Sequence, residues 1–151
     1  MKSLFVISIA SPMLVGIYEN GKLIESISKE GKTSDILPLI IQNILKQHTI
    51  DEIIYVNGPG SYMAIKIAYI FLKTITITNK IKLKSVEGFS VNNNSPIKAL
   101  GKKYFIKNED TIIVDFLSED MKLEVFTLPT SLDNLDFKEG ELPEYHLPAI
   151  T

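Results

Sequence analysis

Glu52-Ile53-Ile54-Tyr55-Val56-Asn57-Gly58-Pro59-Gly60-Ser61-Tyr62-Met63-Ala64-Ile65-Lys66-Ile67-Ala68 opens a segment that runs apolar to Ile77. Residues 52 to 56 form a short apolar run, which reads as a strand. The glycine-proline cluster that follows reads as a tight loop, and residues 62 to 77 as a helix. At about 100° per residue, Tyr62, Lys66, Tyr69, Lys73 and Thr76 share one narrow stripe, and nearly everything else on that helix is apolar. A surface helix needs an apolar stripe only a little over 100° wide, so this one has too much. Ala64, Ile67, Ala68, Phe71 and Ile75 are expected to cover a sheet. Met63, Ile70 and Ile77 on one flank, and Ile65 and Leu72 on the other, then need a second cover. The C-terminal segment or another protein can supply it. A partner interface is the favoured reading, with Leu39, Met63, Lys66, Ile70 and Lys73 as its expected residues.

Upstream, residues 3 to 10 and 13 to 18 read as strands separated at Pro12. Asn20-Gly21 is a strong hairpin signal into a third strand, 22 to 28. The pattern then turns helical, with Ile36, Leu37, Ile40, Ile41, Ile44 and Leu45 on one face. Leu39 falls outside that stripe. Ser34 or Asp35 is the expected cap, because Pro38 is best tolerated near the first turn. Downstream, residues 80 to 86 give a fifth strand. After residue 88 a loop at 92 to 96 precedes short strands at 102 to 106, 111 to 116 and 122 to 128. A hairpin through Ser118-Glu119-Asp120 is expected to join the last two. An acidic, turn-rich segment, 129 to 144, leads to an end strand near Tyr145-His146-Leu147. The expected division is a lobe over residues 1–90 and a small, mostly-β region over 91–151.

A chain of 151 residues with 45% hydrophobic content suffices for one compact unit. Without cysteine there is no disulfide framework, thiolate metal site or cysteine nucleophile. All 16 basic residues are lysines and the formal net charge is −2, which argues against avid nucleic-acid binding. The first apolar run is short and is broken by Ser8, Ser11 and Pro12. Residues 62 to 77 carry Lys66 and Lys73, so no secretion signal or membrane span is expected and a cytoplasmic location is. His48 and His146 have no spacing that suggests a metal; His48 is expected to act as a cation at a helix C-terminus. Asp115 and Glu124 are expected to face solvent, and Ser61 has no basic partner nearby in sequence. Gly58, Gly60 and Ser61 can be read as an anion or nucleotide loop, or as a tight turn that lets the helix start close to the sheet. Spacing alone favours the turn.

The order βββαβαβ resembles the ribonuclease H-like unit, which is also each lobe of actin-like ATPases. A nuclease of that fold would place metal-binding carboxylates where Ser8 and Asn57 stand. The run from Asn57 to Ala68, followed by Leu72-Lys73, resembles the Gly-Pro-Gly-Ser-Phe-Thr-Gly-Leu-Arg-Ile-Gly signature of the bacterial TsaB (YeaZ) family. Ile36-Leu37-Pro38-Leu39-Ile40 resembles that family's Leu-Leu-Pro-Leu-Ile, and residues 84 to 89 its Val-Ser-Ser-Leu segment, with matching order over residues 3 to 90. The resemblance implies a non-catalytic scaffold of the tRNA threonylcarbamoyladenosine machinery. Its partners would be a catalytic TsaD-like subunit, met through the first two helices, and a TsaE-like ATPase. A homodimer is the other association the family implies; tRNA would be reached only through the complex. Ser8-Ile9, Lys32-Thr33 and Met63-Ala64 replace the family's Asp-Thr, His-Ser and Thr-Gly, so no cofactor is expected, with nucleotide only at a partner interface. The shortened C-terminal region implies a reduced second lobe. A degenerate actin-like hydrolase and an orphan structural homodimer are the alternatives.

Overall fold

Asn20 and Gly21 both take positive φ, 50° and 82°, and so turn the chain tightly between β2 (Met13–Glu19) and β3 (Lys22–Lys29). The computed structural model describes residues 1–146. β1 (Lys2–Ile7) pairs antiparallel with β2 and parallel with β4 (Glu52–Val56), and β5 (Lys82–Val86) pairs parallel with β4. The resulting mixed sheet has the order β3-β2-β1-β4-β5. Side chains alternate across it. Leu4, Val6, Ile53 and Tyr55 pack under α1 (Thr33–Gln47) and α2 (Tyr62–Asn79), which lie on one face, while Phe5, Ile7, Ile54 and Val56 point to the other.

Several expectations are corrected. α1 begins earlier than Pro38 suggested. Lys32 is its N-cap, with no side-chain cap bond, because buried Thr33 joins Ile36 and Leu37 on the core stripe. On α2 the residues facing the sheet are Ile65, Ala68, Leu72 and Thr76, whereas Ala64, Ile67, Phe71 and Ile75 are only half-buried. Thr76 tolerates the core because its hydroxyl donates to the Lys73 carbonyl at 2.9 Å. Ile65 and Leu72 therefore need no external cover.

The second face of the sheet is closed from the C-terminal side. A small sheet of β6 (Ile97–Lys98), β7 (Lys103–Asn108) and β8 (Thr111–Phe116) packs through Phe105 against Phe89 and Ile97. Its hairpin is β7–β8, turning where Glu109 has φ 55°. No strand forms over 122 to 128, so the expected hairpin at Ser118-Glu119-Asp120 is absent. This segment has too few backbone partners for a ladder. It is held by single bonds such as Thr127 N–H to Val91 O at 3.0 Å, and it turns Phe126 and Leu128 into the core. Tyr145 and His146 are not in a strand either, and Leu147 lies outside the described residues.

Residues 129 to 146 form an irregular strap. It starts beside β3, where Lys22 bridges Ser131, passes Leu132 and Leu135 over the helix-free face, and bridges β5 at Val86–Phe137. Buried tyrosine hydroxyls anchor it: Tyr18 donates to Pro129 O at 2.6 Å and Tyr55 to Glu141 O. Ser85 Oγ and Asn57 Nδ2 donate to the carbonyls of Gly140 and Leu142, at 2.8 and 2.9 Å. Burial pushes both phenols well above the ordinary phenol range, and nearby Tyr69, Tyr145, Glu141 and Glu144 push Tyr55 further. A raised folded-state value means that the folded protein holds these protons more tightly than the unfolded chain. Their contribution is thus intact below about pH 10 and lost as pH rises beyond it, by up to about 1.4 kcal/mol per pH unit for each tyrosine. Urea titrations between neutral pH and pH 11 should show this decline, and Tyr55→Phe should make it shallower.

Candidate functional site

Ser61 starts α2 by accepting the Ala64 amide on its hydroxyl at 3.4 Å, and Lys80, with φ 56°, ends it in a left-handed cap. Between them the helix has three non-equivalent surfaces. The first, Ile65, Ala68, Leu72 and Thr76, faces the sheet. The second is the stripe of Tyr62, Tyr69 and Lys73, and it faces the chain's own strap. The Tyr62 ring stacks on Tyr145 with centroids 4.4 Å apart, Tyr69 lies 6.2 Å from Tyr55, and Lys73 pairs with Glu141. The hydrogen bond that the Lys73 ammonium donates to Glu141 raises its pKa above the usual range. Of the two lysines expected to face a partner, Lys73 is thus joined to the strap. Lys66 is exposed, with its ammonium 5.8 Å from the centre of the Tyr62 ring.

The third surface points away from the sheet. Met63, Ile70 and Ile77 follow one another at seven-residue spacing and are 56%, 53% and 67% exposed. Isolated exposed aliphatics are ordinary; three aligned on one helix form a continuous apolar strip. Thr74, between Ile70 and Ile77, does not break it, because its hydroxyl donates to the Ile70 carbonyl at 2.8 Å. Thr78 does the same to Thr74 O at 2.9 Å. Leu39, 64% exposed on α1, borders a different groove, floored by Ile17, Ile27, Ile36 and Ile40 between α1 and β3. Met63 and Ile70 are therefore brought together with Lys66 at their edge, whereas Lys73 and Leu39 are placed elsewhere.

The loop before α2 is enclosed by the chain itself. Asn57, 1% exposed, donates its amide to Val86 O, and its carbonyl accepts the Glu144 amide at 2.8 Å. Gly58 has φ 137°, a Cβ there would collide with the Glu144 carbonyl oxygen, and its own carbonyl accepts from Gly88 N. A Cβ on Gly60 would lie 2.7 Å from Ile9 Cγ2. Both glycines are needed for close approach within the chain, which matches the turn reading. Gly60 and Ser61 also line a cleft of about 450 Å³ whose walls are Ile9, Tyr62, Ile97, Leu100, Phe126 and Tyr145, with Lys98 as its cation.

Several other ionisable groups are engaged in internal pairs. Buried Glu52 accepts from Ser3 Oγ at 2.8 Å and pairs with Lys84 at 3.1 Å, and Glu87 holds Lys107 at 2.6 Å and Lys138 at 3.7 Å. His48 is the C-cap of α1, with its Nε2 3.8 Å from a Glu25 carboxylate oxygen. The Lys2 ammonium, which can only donate, sits 3.0 Å from its Nδ1. Asp115 and Glu124 are exposed. Among the described residues no group of three or more His, Asp or Glu side chains is placed to hold a metal ion. No described helix is long and apolar enough to cross a membrane. Sequence reasoning missed Tyr18, Tyr55 and Glu141 as strap anchors. The available signal was the stripe of Tyr62, Tyr69 and Lys73 on an otherwise apolar helix, since polar tips beside a core need partners.

No protein-family model matches the chain, and no curated protein matches it significantly. Among solved structures it is similar to YeaZ from Pseudomonas aeruginosa, with a TM-score of 0.58 at 11% identity over 76% of this chain and 64% of that one. A second structure, of a protein with similarity to peptidase YeaZ from Pseudomonas aeruginosa, gives 0.55 at 11% identity over 76% and 63%. The chain is thus YeaZ-like in fold, and it spans less than two thirds of the length of either relative.

Proposed function

We propose that this chain is a non-catalytic docking subunit of the tRNA threonylcarbamoyladenosine machinery, binding a TsaD-like catalytic subunit through its helical layer. The observation that carries the reading is the uncovered apolar strip of Met63, Ile70 and Ile77, on a helix whose other two sides are occupied by the sheet and the strap. The YeaZ-like fold supplies the biological setting. On this reading residues 1–90 are an actin-like lobe and the region from residue 91 is a reduced second lobe. A TsaE-like ATPase joins through the assembly, and tRNA is contacted only by the complex. Co-purification with the TsaD-like subunit of the same genome tests the proposal; a hydrolase or an orphan homodimer would not bring that subunit down.

A scaffold role also sets an expectation for nucleotide. In the loop at Asn57 to Ser61 the Asn57 amide donates within the chain, the Glu144 backbone closes over Gly58, and the Ser61 hydroxyl caps its own helix. The adjoining cleft is apolar apart from Lys98 and a few hydroxyls. ATP titrated calorimetrically into the monomer, with and without magnesium, should bind no tighter than about millimolar, or ~4 kcal/mol. Micromolar binding lost in Gly60→Ala would make the loop a nucleotide site instead.

A further inference from the structure

An edge strand exposes a row of unpaired backbone groups, and all but one of the sheet edges in this molecule are blunted. The strap closes on β3, where Leu23 donates to Thr130 O at 3.0 Å and Lys22 bridges Ser131. It closes on β5 as well, where Lys138 donates to Ser85 O at 2.9 Å and Phe137 bridges Val86. β6 is only two residues long, and one of them is Lys98. β8 is the exception. Its residues, Thr111-Ile112-Ile113-Val114-Asp115-Phe116, include no lysine or proline, and among the described residues no backbone bond reaches its outer side. The two-residue turn at Glu109-Asp110 makes Asn108 and Thr111 a hydrogen-bonded pair. The alternation of the ladder then directs the backbone of Ile113 and Asp115 to β7 and turns the N–H and C=O of Ile112 and Val114 outward. The side chains of Ile112 and Val114 are half-buried against the Phe105 cluster, so this backbone is fixed before any partner arrives.

Which strand fits that edge follows from its own residues. When two β8 strands run antiparallel about a twofold axis at Ile113, Ile112 of each copy meets Val114 of the other, and each such pair exchanges both of its N–H···O bonds. Thr111 then lies opposite Asp115, a hydroxyl beside a carboxylate. Asp110 comes beside Phe116, whose ring carries the Lys103 ammonium 5.5 Å from its centre. The neighbouring registers that also match the outward groups are worse: one sets Asp115 opposite Glu109, and the other sets it opposite Ile113. A single register therefore satisfies backbone and charge together. We propose that β8 is a self-recognition edge, through which two copies of this chain join their small sheets into one antiparallel sheet with Ile112 against Val114 and Thr111 against Asp115. The α2 strip takes no part in this pairing, which stands apart from the docking reading.

Sedimentation equilibrium over a micromolar-to-millimolar series should show a reversible dimer of the full chain. Thr111→Asp sets carboxylates against each other across the pair and should weaken the dimer at least about tenfold; adding Asp115→Lys to that variant should restore it. Both positions are exposed, so circular dichroism should report an unchanged fold. The chain has no cysteine, so Ile113→Cys supplies a single thiol at the axis. There a non-hydrogen-bonded pair brings Cα atoms to about 4.5 Å, within reach of a disulfide. Mild oxidation should link that variant into a covalent dimer, and Thr111→Asp in the same chain should suppress the link. A chain that stays monomeric throughout the series, or a dimer indifferent to Thr111→Asp, would overturn the proposal. Binding of the TsaD-like subunit should survive Thr111→Asp, and failure of the wild-type chain to bind it would count against the docking reading alone.

Discussion

Ile70→Glu should lower affinity for the TsaD-like subunit by about a hundredfold or more while leaving the fold intact. Ile70 is 53% exposed in the free chain, so the substitution removes little from the core. In a complex its side chain would lose contact with water, a gain of roughly 1.5 to 3 kcal/mol for a residue of this size. A carboxylate at the same place must be desolvated without a partner. The combined loss exceeds about 2.7 kcal/mol, which is the hundredfold. Met63→Glu should act in the same direction. Ile65→Glu should behave differently: Ile65 is fully buried against the sheet, so the variant should fail to fold cooperatively, as circular dichroism would show.

Gly58→Ala should be the most damaging single-methyl change in the chain. Two penalties coincide there. A non-glycine residue at φ 137° is strained, and the added Cβ runs into the backbone carbonyl of Glu144, which cannot rotate away as a side chain would. Glu144 is tied to the same loop by its amide on Asn57 O, so relief requires the end of the strap to lift. A loss of about 2 to 3 kcal/mol in urea denaturation is expected. Gly60→Ala should cost less, about 1 kcal/mol, since its clash is with the Ile9 side chain, which can shift. Equal stability of Gly58→Ala and the wild type would mean that the strap does not close over this loop.

What could be read from the sequence follows from where the forces are local. The hairpin at Asn20-Gly21, the strands from β1 to β5 and both long helices follow from turn chemistry and apolar period, and they appear within a few residues of their expected bounds. The exposed flank at Met63, Ile70 and Ile77 was legible for the same reason: a helix 18 residues long fixes relative side-chain directions whatever its surroundings. Which flank meets the sheet was not. That choice depends on the strap, whose contacts join residues far apart in sequence, such as Tyr18 with Pro129 and Lys73 with Glu141. Apolar Phe126 and Leu128 gave residues 122 to 128 a strand pattern, but those side chains serve a core contact made without a ladder. The Lys73–Glu141 pair likewise converts an apparent partner-facing lysine into an internal one.

Light scattering on a size-exclusion column, applied to this chain mixed with the TsaD-like subunit of the same genome, reads out the docking role itself. A one-to-one complex should form with the wild-type chain and be lost with Ile70→Glu. Absence of any complex, or a complex indifferent to both Ile70→Glu and Met63→Glu, would contradict it.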